Sequence, residues 1–171
     1  MSIIAVHVKD DGIYLGADSI ITSGSTQYKK SDAKIKKITD EFAFAATGLC
    51  KEAELFYLFC LNRVPATNTK LGIIEFMHEF ANWQNQKISC YSIENGYLIV
   101  YKGKAYSFTD YLCEEVGDYA VDGAGRDFAL ATFHLGLDIE QAINAACELS
   151  IYCEKPIVIY KFNLNLEKHG A

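Results

Sequence analysis

The stretch SIIAVHVKDDGIYLGAD, residues 2–18, decides how the rest of the chain is read. Residues 3–8 are apolar and rich in β-branched side chains, Lys9-Asp10-Asp11-Gly12 supplies turn chemistry, and residues 13–18 resume an extended pattern. This predicts a β-hairpin that opens the chain, with its first strand beginning beside Ser2.

Outward from that hairpin the period of the pattern changes twice. Residues 20–30 are rich in Ser, Thr and Gly and read as a loop or short hairpin. AKIKKI (33–38) and FAFAAT (42–47) alternate around Thr39-Asp40-Glu41, which predicts a further antiparallel pair. Residues 49–63 then place Leu55, Phe56, Leu58, Phe59 and Leu61 on a helical stripe, and residues 71–86 do the same with Ile73, Phe76, Met77, Phe80 and Trp83. Strands return at YSIENGYLIVY (91–101), where Asn95-Gly96 is a turn signal, and at KAYSF (104–108) after Lys102-Gly103. A strand near residues 117–121 leads to helices over about 126–136 and 139–151, with Asp138 as N-cap of the second, and PIVIYKFNL (156–164) closes the pattern as a strand. The order is strands, two helices, strands, two helices, strand. Sheets with one or both faces apolar need cover, so helix pairs on sheet faces predict a layered α+β architecture in one domain spanning residues 1–171.

Composition narrows the function classes. Half of the 171 residues are hydrophobic and two are proline, which excludes a disordered chain. The net charge of −6 comes from interspersed acids and bases; its one basic cluster, Lys29, Lys30, Lys34, Lys36 and Lys37, is interrupted by Asp32, so no nucleic-acid surface is expected. The opening lacks the basic and apolar regions of a signal peptide, and no run is long enough to span a membrane, which predicts a cytoplasmic protein. The six cysteines form no CxxC pair and no metal spacing with the four histidines, so reduced thiols without a metal or cofactor are expected.

The start of the chain resembles that of mature proteasome β subunits and the HslV peptidase, a family of N-terminal nucleophile hydrolases. In that family a catalytic Thr or Ser begins a strand, a turn ending in Gly follows, and the second strand ends in Ala-Asp or Gly-Asp. Counted from Ser2, Gly12 and Asp18 match without a gap, and continuing gaplessly Lys34 falls on the catalytic lysine and Gly48 on the oxyanion-hole glycine. DGAGRDFALATF (122–133) and the segment 138–160 are similar to the family's Gly-Ser-Gly turn, its C-terminal helix and its last strand, whereas about 67–118 matches by element order alone. The resemblance implies a four-layer αββα sandwich with two antiparallel sheets between helix layers. It further implies peptide or unfolded protein as substrate, a homo-oligomeric ring and an ATP-dependent unfoldase as partner.

The residues suit that chemistry. An N-terminal Ser carries nucleophile and base together: its hydroxyl attacks a carbonyl and its α-amine, with a pKa of roughly 7.7–8.0, accepts the proton. By the resemblance Lys34 stabilises the charge on the nucleophile, Asp18 orients Lys34, and the Gly48 N–H donates to the oxyanion. Methionine aminopeptidase removes Met1 before a small residue such as Ser2, and the start is read as carrying no longer propeptide, as in HslV. With Met1 retained, the α-amine is an amide and the mechanism is closed.

Each residue alone has an ordinary reading: Ser2 as a terminus, Asp18 as a strand or turn cap, Lys34 as a solvated strand residue, Gly48 as a strand end. Their joint spacing favours the site. His7 lies at odd spacing from Ser2 and is expected on the opposite face, while His78, Cys147 and Cys153 read as packing residues. Ala124 stands where the family commonly carries a Ser near the catalytic amine, and Ser150 and Cys153 fall where its acidic network lies. These departures keep two rivals open: a non-catalytic homologue serving as an assembly or binding module, and a small-molecule amidohydrolase.

Overall fold

The computed structural model describes residues 2–23, 26–29 and 34–164. Its strands are β1 (Ile4–Lys9), β2 (Gly12–Ala17), β3 (Ile20–Ser23), β4 (Thr26–Lys29), β5 (Ile35–Lys37), β6 (Phe42–Thr47), β7 (Gly96–Tyr101), β8 (Lys104–Thr109), β9 (Leu112–Glu115), β10 (Tyr119–Asp122) and β11 (Val158–Phe162). Its helices are α1 (Cys50–Cys60), α2 (Lys70–Ile88), α3 (Arg126–His134) and α4 (Ile139–Leu149). Two antiparallel sheets, ordered β10-β1-β2-β11 and β5-β6-β7-β8-β9, stack face to face, and β3-β4 forms a separate hairpin.

The two-residue period of the strands sorts side chains into layers. In β1, Ile4 and Val6 face the other sheet, whereas Ala5, with Ile3 just before the strand, faces α3 and α4. In β6, Phe42, Phe44 and Ala46 pack under α1 and α2, while Ala43 and Ala45 turn into the layer between the sheets. Strands buried on both faces explain the continuous apolar runs of β1 and β6. The result is a four-layer αββα sandwich: α1 and α2, the five-stranded sheet, the four-stranded sheet, then α3 and α4. Among the described residues no helix is long and apolar enough to cross a membrane.

Local chemistry sets the element ends. Asp138 accepts from the Gln141 N–H at 2.9 Å while the Gln141 side chain accepts from the Asp138 N–H at 3.1 Å, a reciprocal cap that starts α4. Thr69 caps α2 through the Gly72 N–H. His7 points away from the side Ser2 occupies and packs edge-on against Phe133 of α3, with ring centres 5.1 Å apart.

Two expectations are corrected. Residues 91–95 are not a strand, and Asn95-Gly96 is not a hairpin turn; β7 begins at Gly96. The backbone there is engaged by side chains: Gln84 donates to the Ser92 carbonyl, and the Glu94 and Asn95 N–H groups donate to Glu52. The turns on either side of β8 are Lys102-Gly103, with φ of 44° and 72°, and Asp110-Tyr111, with φ of 51° and 61°. Positive φ at both central residues matches the twist of paired strands, so the second turn adds β9, a strand the sequence reading omits.

Candidate active site

The end of β2 delivers Asp18 into the interior, 1% exposed. A lone buried carboxylate is costly, and four donors satisfy this one. It accepts from the N–H groups of Ile3 at 2.9 Å, Ile20 at 3.3 Å and Glu154 at 3.1 Å, and from the Lys34 ammonium. One carboxylate therefore fixes the backbone next to Ser2, the entry to β3, a loop near the C-terminal strand and the lysine.

Lys34 immediately precedes β5, and its carbonyl accepts from the Ala46 N–H at 3.1 Å. Its side chain is almost fully buried. Burial pulls the Lys34 ammonium below the ordinary lysine pKa, against the opposing pull of the Asp18 carboxylate.

Ser2, 5% exposed, is seated by the turn after β10. Its carbonyl accepts from the Gly125 N–H at 3.1 Å. Gly123, at φ +106°, lies against that same carbonyl where a Cβ would collide with it. Ala124 sits between these two glycines and brings no hydroxyl to the turn.

Gly48 ends β6 at φ +113°, and a Cβ there would strike the Asn95 side-chain oxygen. Asn95 clamps the next residue, accepting from the Leu49 N–H at 2.5 Å and donating to the Leu49 carbonyl at 2.9 Å. Buried Glu52, in the first turn of α1, holds Asn95 in turn: it accepts from the Asn95 N–H at 3.1 Å and from the Tyr97 hydroxyl at 2.8 Å. Beside Gly48, the Thr47 hydroxyl donates to Asp122, whose carboxylate covers Gly96.

Ser2, Lys34 and Gly48 line one cavity of about 420 Å³, together with Thr47, Cys50 and Asn95. Asp18 stands behind Lys34 rather than in the cavity wall. The four positions picked by spacing are thus brought together. The sequence reading misses Asn95, Glu52, Thr47 and Asp122; polar residues at strand ends are a signal for Thr47, Asn95 and Asp122, and Glu52, in the first turn of α1, carries none.

The Cys147 and Cys153 thiols are poor nucleophiles. Burial and the Asp18 carboxylate push Cys147 up to about 12 and raise Cys153. Cys153 fills the space beside Gly125, 2.6 Å from where a Cβ would stand, and so packs the seat of Ser2.

No protein-family model and no curated protein matches this sequence. Solved structures do. BPH from Thiobacillus denitrificans, solved in complex with epoxomicin, superimposes with a TM-score of 0.80 at 17% identity, covering 95% of this chain and 98% of its own. Eukaryotic HslV from Trypanosoma brucei gives 0.70 at 16% identity over 94% and 99% of the two chains. Anbu, an ancestral beta-subunit from Yersinia bercovieri, gives 0.72 at 10% identity over 95% and 82%. At such low identity the likeness speaks for the backbone, and it spans nearly all of it: the chain has the fold of the proteasome-type N-terminal nucleophile hydrolases.

Proposed function

We propose that this chain is a proteasome- and HslV-like hydrolase subunit, cytoplasmic, that cleaves peptide bonds with the Ser2 hydroxyl after removal of Met1. The observation that carries the reading is the double grip of Asp18, which holds the Ile3 N–H and the Lys34 ammonium with one carboxylate behind the wall of a cavity shared by Ser2, Lys34 and Gly48. Met1 lies outside the described residues.

In this mechanism the Ser2 oxygen attacks the substrate carbonyl carbon as its proton passes to the Ser2 α-amine. The Lys34 ammonium stabilises the charge developing on the Ser2 oxygen. Negative charge on the former carbonyl oxygen is met by the Gly48 N–H, one peptide before the Leu49 groups that Asn95 holds. Collapse breaks the C–N bond, the leaving amine takes the proton from the α-amine, and an ester to Ser2 remains. Water, deprotonated by the same amine, hydrolyses the ester and restores the hydroxyl.

A closed ring of identical subunits, fed unfolded protein by an ATP-dependent unfoldase, is the assembly this reading expects. Ser2→Ala is the test: loss of peptide hydrolysis in a protein whose intact mass shows Met1 removed supports it, and unchanged hydrolysis overturns it. A second reading, a non-catalytic assembly or binding module, is favoured by Ala124 in the turn that seats Ser2. A retained Met1 selects that reading. Hydrolysis of small amides by a monomer or dimer selects an amidohydrolase instead.

A further inference from the structure

The cavity that Ser2 lines is walled also by Ala46, Ala53, Lys36 and Glu54, residues of β5, β6 and α1. Lys34 and Lys36 are two residues apart beside and on β5 and so share the face that α1 covers. Ala46 lies opposite Lys34, because Ile35 pairs with Ala45. Two alanines leave room there that the next residue on that face, Phe44, would fill. The wall on this side carries the two alanine methyl groups and the Lys36–Glu54 ion pair, and Ile20, Ile21 and Leu49 add apolar surface to the same cavity.

That pair is lopsided. The Lys36 side chain is 23% exposed, lies 3.4 Å from the Glu54 carboxylate, and rests on the Tyr57 ring with its nitrogen 5.0 Å from the ring centre. The Glu54 side chain is 56% exposed. A contact of this length to a half-exposed glutamate contributes little, so Glu54 can swing to solvent at small cost. Lys36 cannot leave so readily, since α1 and the Tyr57 ring hold it. The cavity wall also carries a second ammonium, Lys34, whose counter-ion Asp18 is outside the wall.

We infer that this side of the cavity selects an acidic side chain, of glutamate type, on the residue whose carbonyl Ser2 attacks, the substrate carboxylate replacing Glu54 on Lys36. The inference rests on the hydrolase reading and adds the substrate class to it. The methylenes of a glutamate lie along Ala46 and Ala53, and its carboxylate exchanges for one already present. A lysine side chain would take Glu54 from Lys36 and leave the Lys36 ammonium facing a second one; a leucine would leave the ion pair facing a methyl group.

Binding and cleavage are measured separately, so that the two readings can fail separately. Binding of acetylated peptides ending in Glu, Gln, Lys or Leu to the Ser2→Ala protein is followed by calorimetry. The Glu peptide is expected to bind about tenfold more tightly than the Gln peptide. Lys36→Met is expected to erase that ratio, and Glu54→Gln, which removes the competing carboxylate, to preserve or increase it. Equal or better binding of the Lys or Leu peptide, a ratio that survives in Lys36→Met, or no binding of any peptide overturns the inference. Selective binding with no cleavage of Glu-containing peptides by the mature protein overturns the hydrolase reading and leaves the acidic subsite standing. Cleavage with no preference for Glu does the reverse.

Discussion

Asn95 holds both polar backbone groups of Leu49, its oxygen taking the N–H at 2.5 Å and its nitrogen giving to the carbonyl at 2.9 Å. This clamp spans 46 positions in sequence and fixes the peptide plane that follows Gly48. Asn95→Ala leaves the Leu49 N–H unmatched, while the Leu49 carbonyl keeps the Ala53 N–H at 3.1 Å, with an expected loss of about 1–2 kcal/mol in unfolding free energy. On the mechanism proposed, kcat falls by about tenfold or more while KM changes little, because the donor acts on the transition state. Urea unfolding and steady-state hydrolysis check the two parts. An unchanged kcat would remove Asn95 from the oxyanion site.

Gly48→Ala meets two obstacles at once. Its φ of +113° is poorly suited to a side chain, and the added methyl collides with the Asn95 oxygen that performs the clamp. The expected cost is about 1–3 kcal/mol, with hydrolysis falling in step with Asn95→Ala. The double variant should lose less than the sum of the singles, since both break the same contact.

Lys34 and Asp18 are stable only as a pair. Lys34→Met strands a buried carboxylate and is expected to destabilise the protein by about 3–5 kcal/mol, while Lys34→Met combined with Asp18→Asn recovers part of that loss. The pH dependence has a defined sign. Burial lowers the Lys34 pKa in the folded chain below its value of 10.5. Between that lowered pKa and 10.5 the unfolded chain binds more protons, so this group's contribution rises as pH rises and is lost as pH falls through the folded pKa. The gap in unfolding free energy between wild type and Lys34→Met should therefore move in favour of wild type as pH approaches 10.5. A gap that moves the other way contradicts a buried, desolvated ammonium.

Cys50 is exposed at the cavity wall, while Cys60 and Cys153 are buried. Burial raises the thiol pKa of Cys60, Cys147 and Cys153, which keeps them protonated and slow. A bulky maleimide at neutral pH is expected to mark Cys50 ahead of those three and to suppress hydrolysis by filling the cavity. Peptide mapping locates the label, and Cys50→Ser removes it. Hydrolysis that survives full labelling of Cys50 would place the substrate elsewhere.

The sequence makes the fold legible where the signal is local. β1 and β2, the helical stripes of α1 and α2 and the Asp138 cap each follow from periods and turn chemistry within about a dozen residues. The spacing of Ser2, Asp18, Lys34 and Gly48 runs from residue 2 to residue 48 and is legible through the family resemblance rather than through a local period. Asn95-Gly96 misleads because the pair has strong turn chemistry, yet Asn95 spends its side chain on Leu49 and its N–H on Glu52. β9 is hidden by Asp110-Tyr111, which adopts a glycine-type turn without a glycine. Thr47 and Asp122, 75 positions apart, meet only because the two sheets stack, and no window along the chain contains both.

The Asp18 carboxylate also takes the Glu154 N–H, 136 positions away, and β2, which presents it, is flanked by β11. A ribosome makes residue 18 long before residue 154. Until that last loop and strand arrive, the carboxylate lacks one of its donors and β2 lacks a neighbour, so a growing chain carries Ser2 without the finished setting around it. The setting around Ser2 therefore closes only after residue 154 and β11 have been made, whatever the state of the N-terminus.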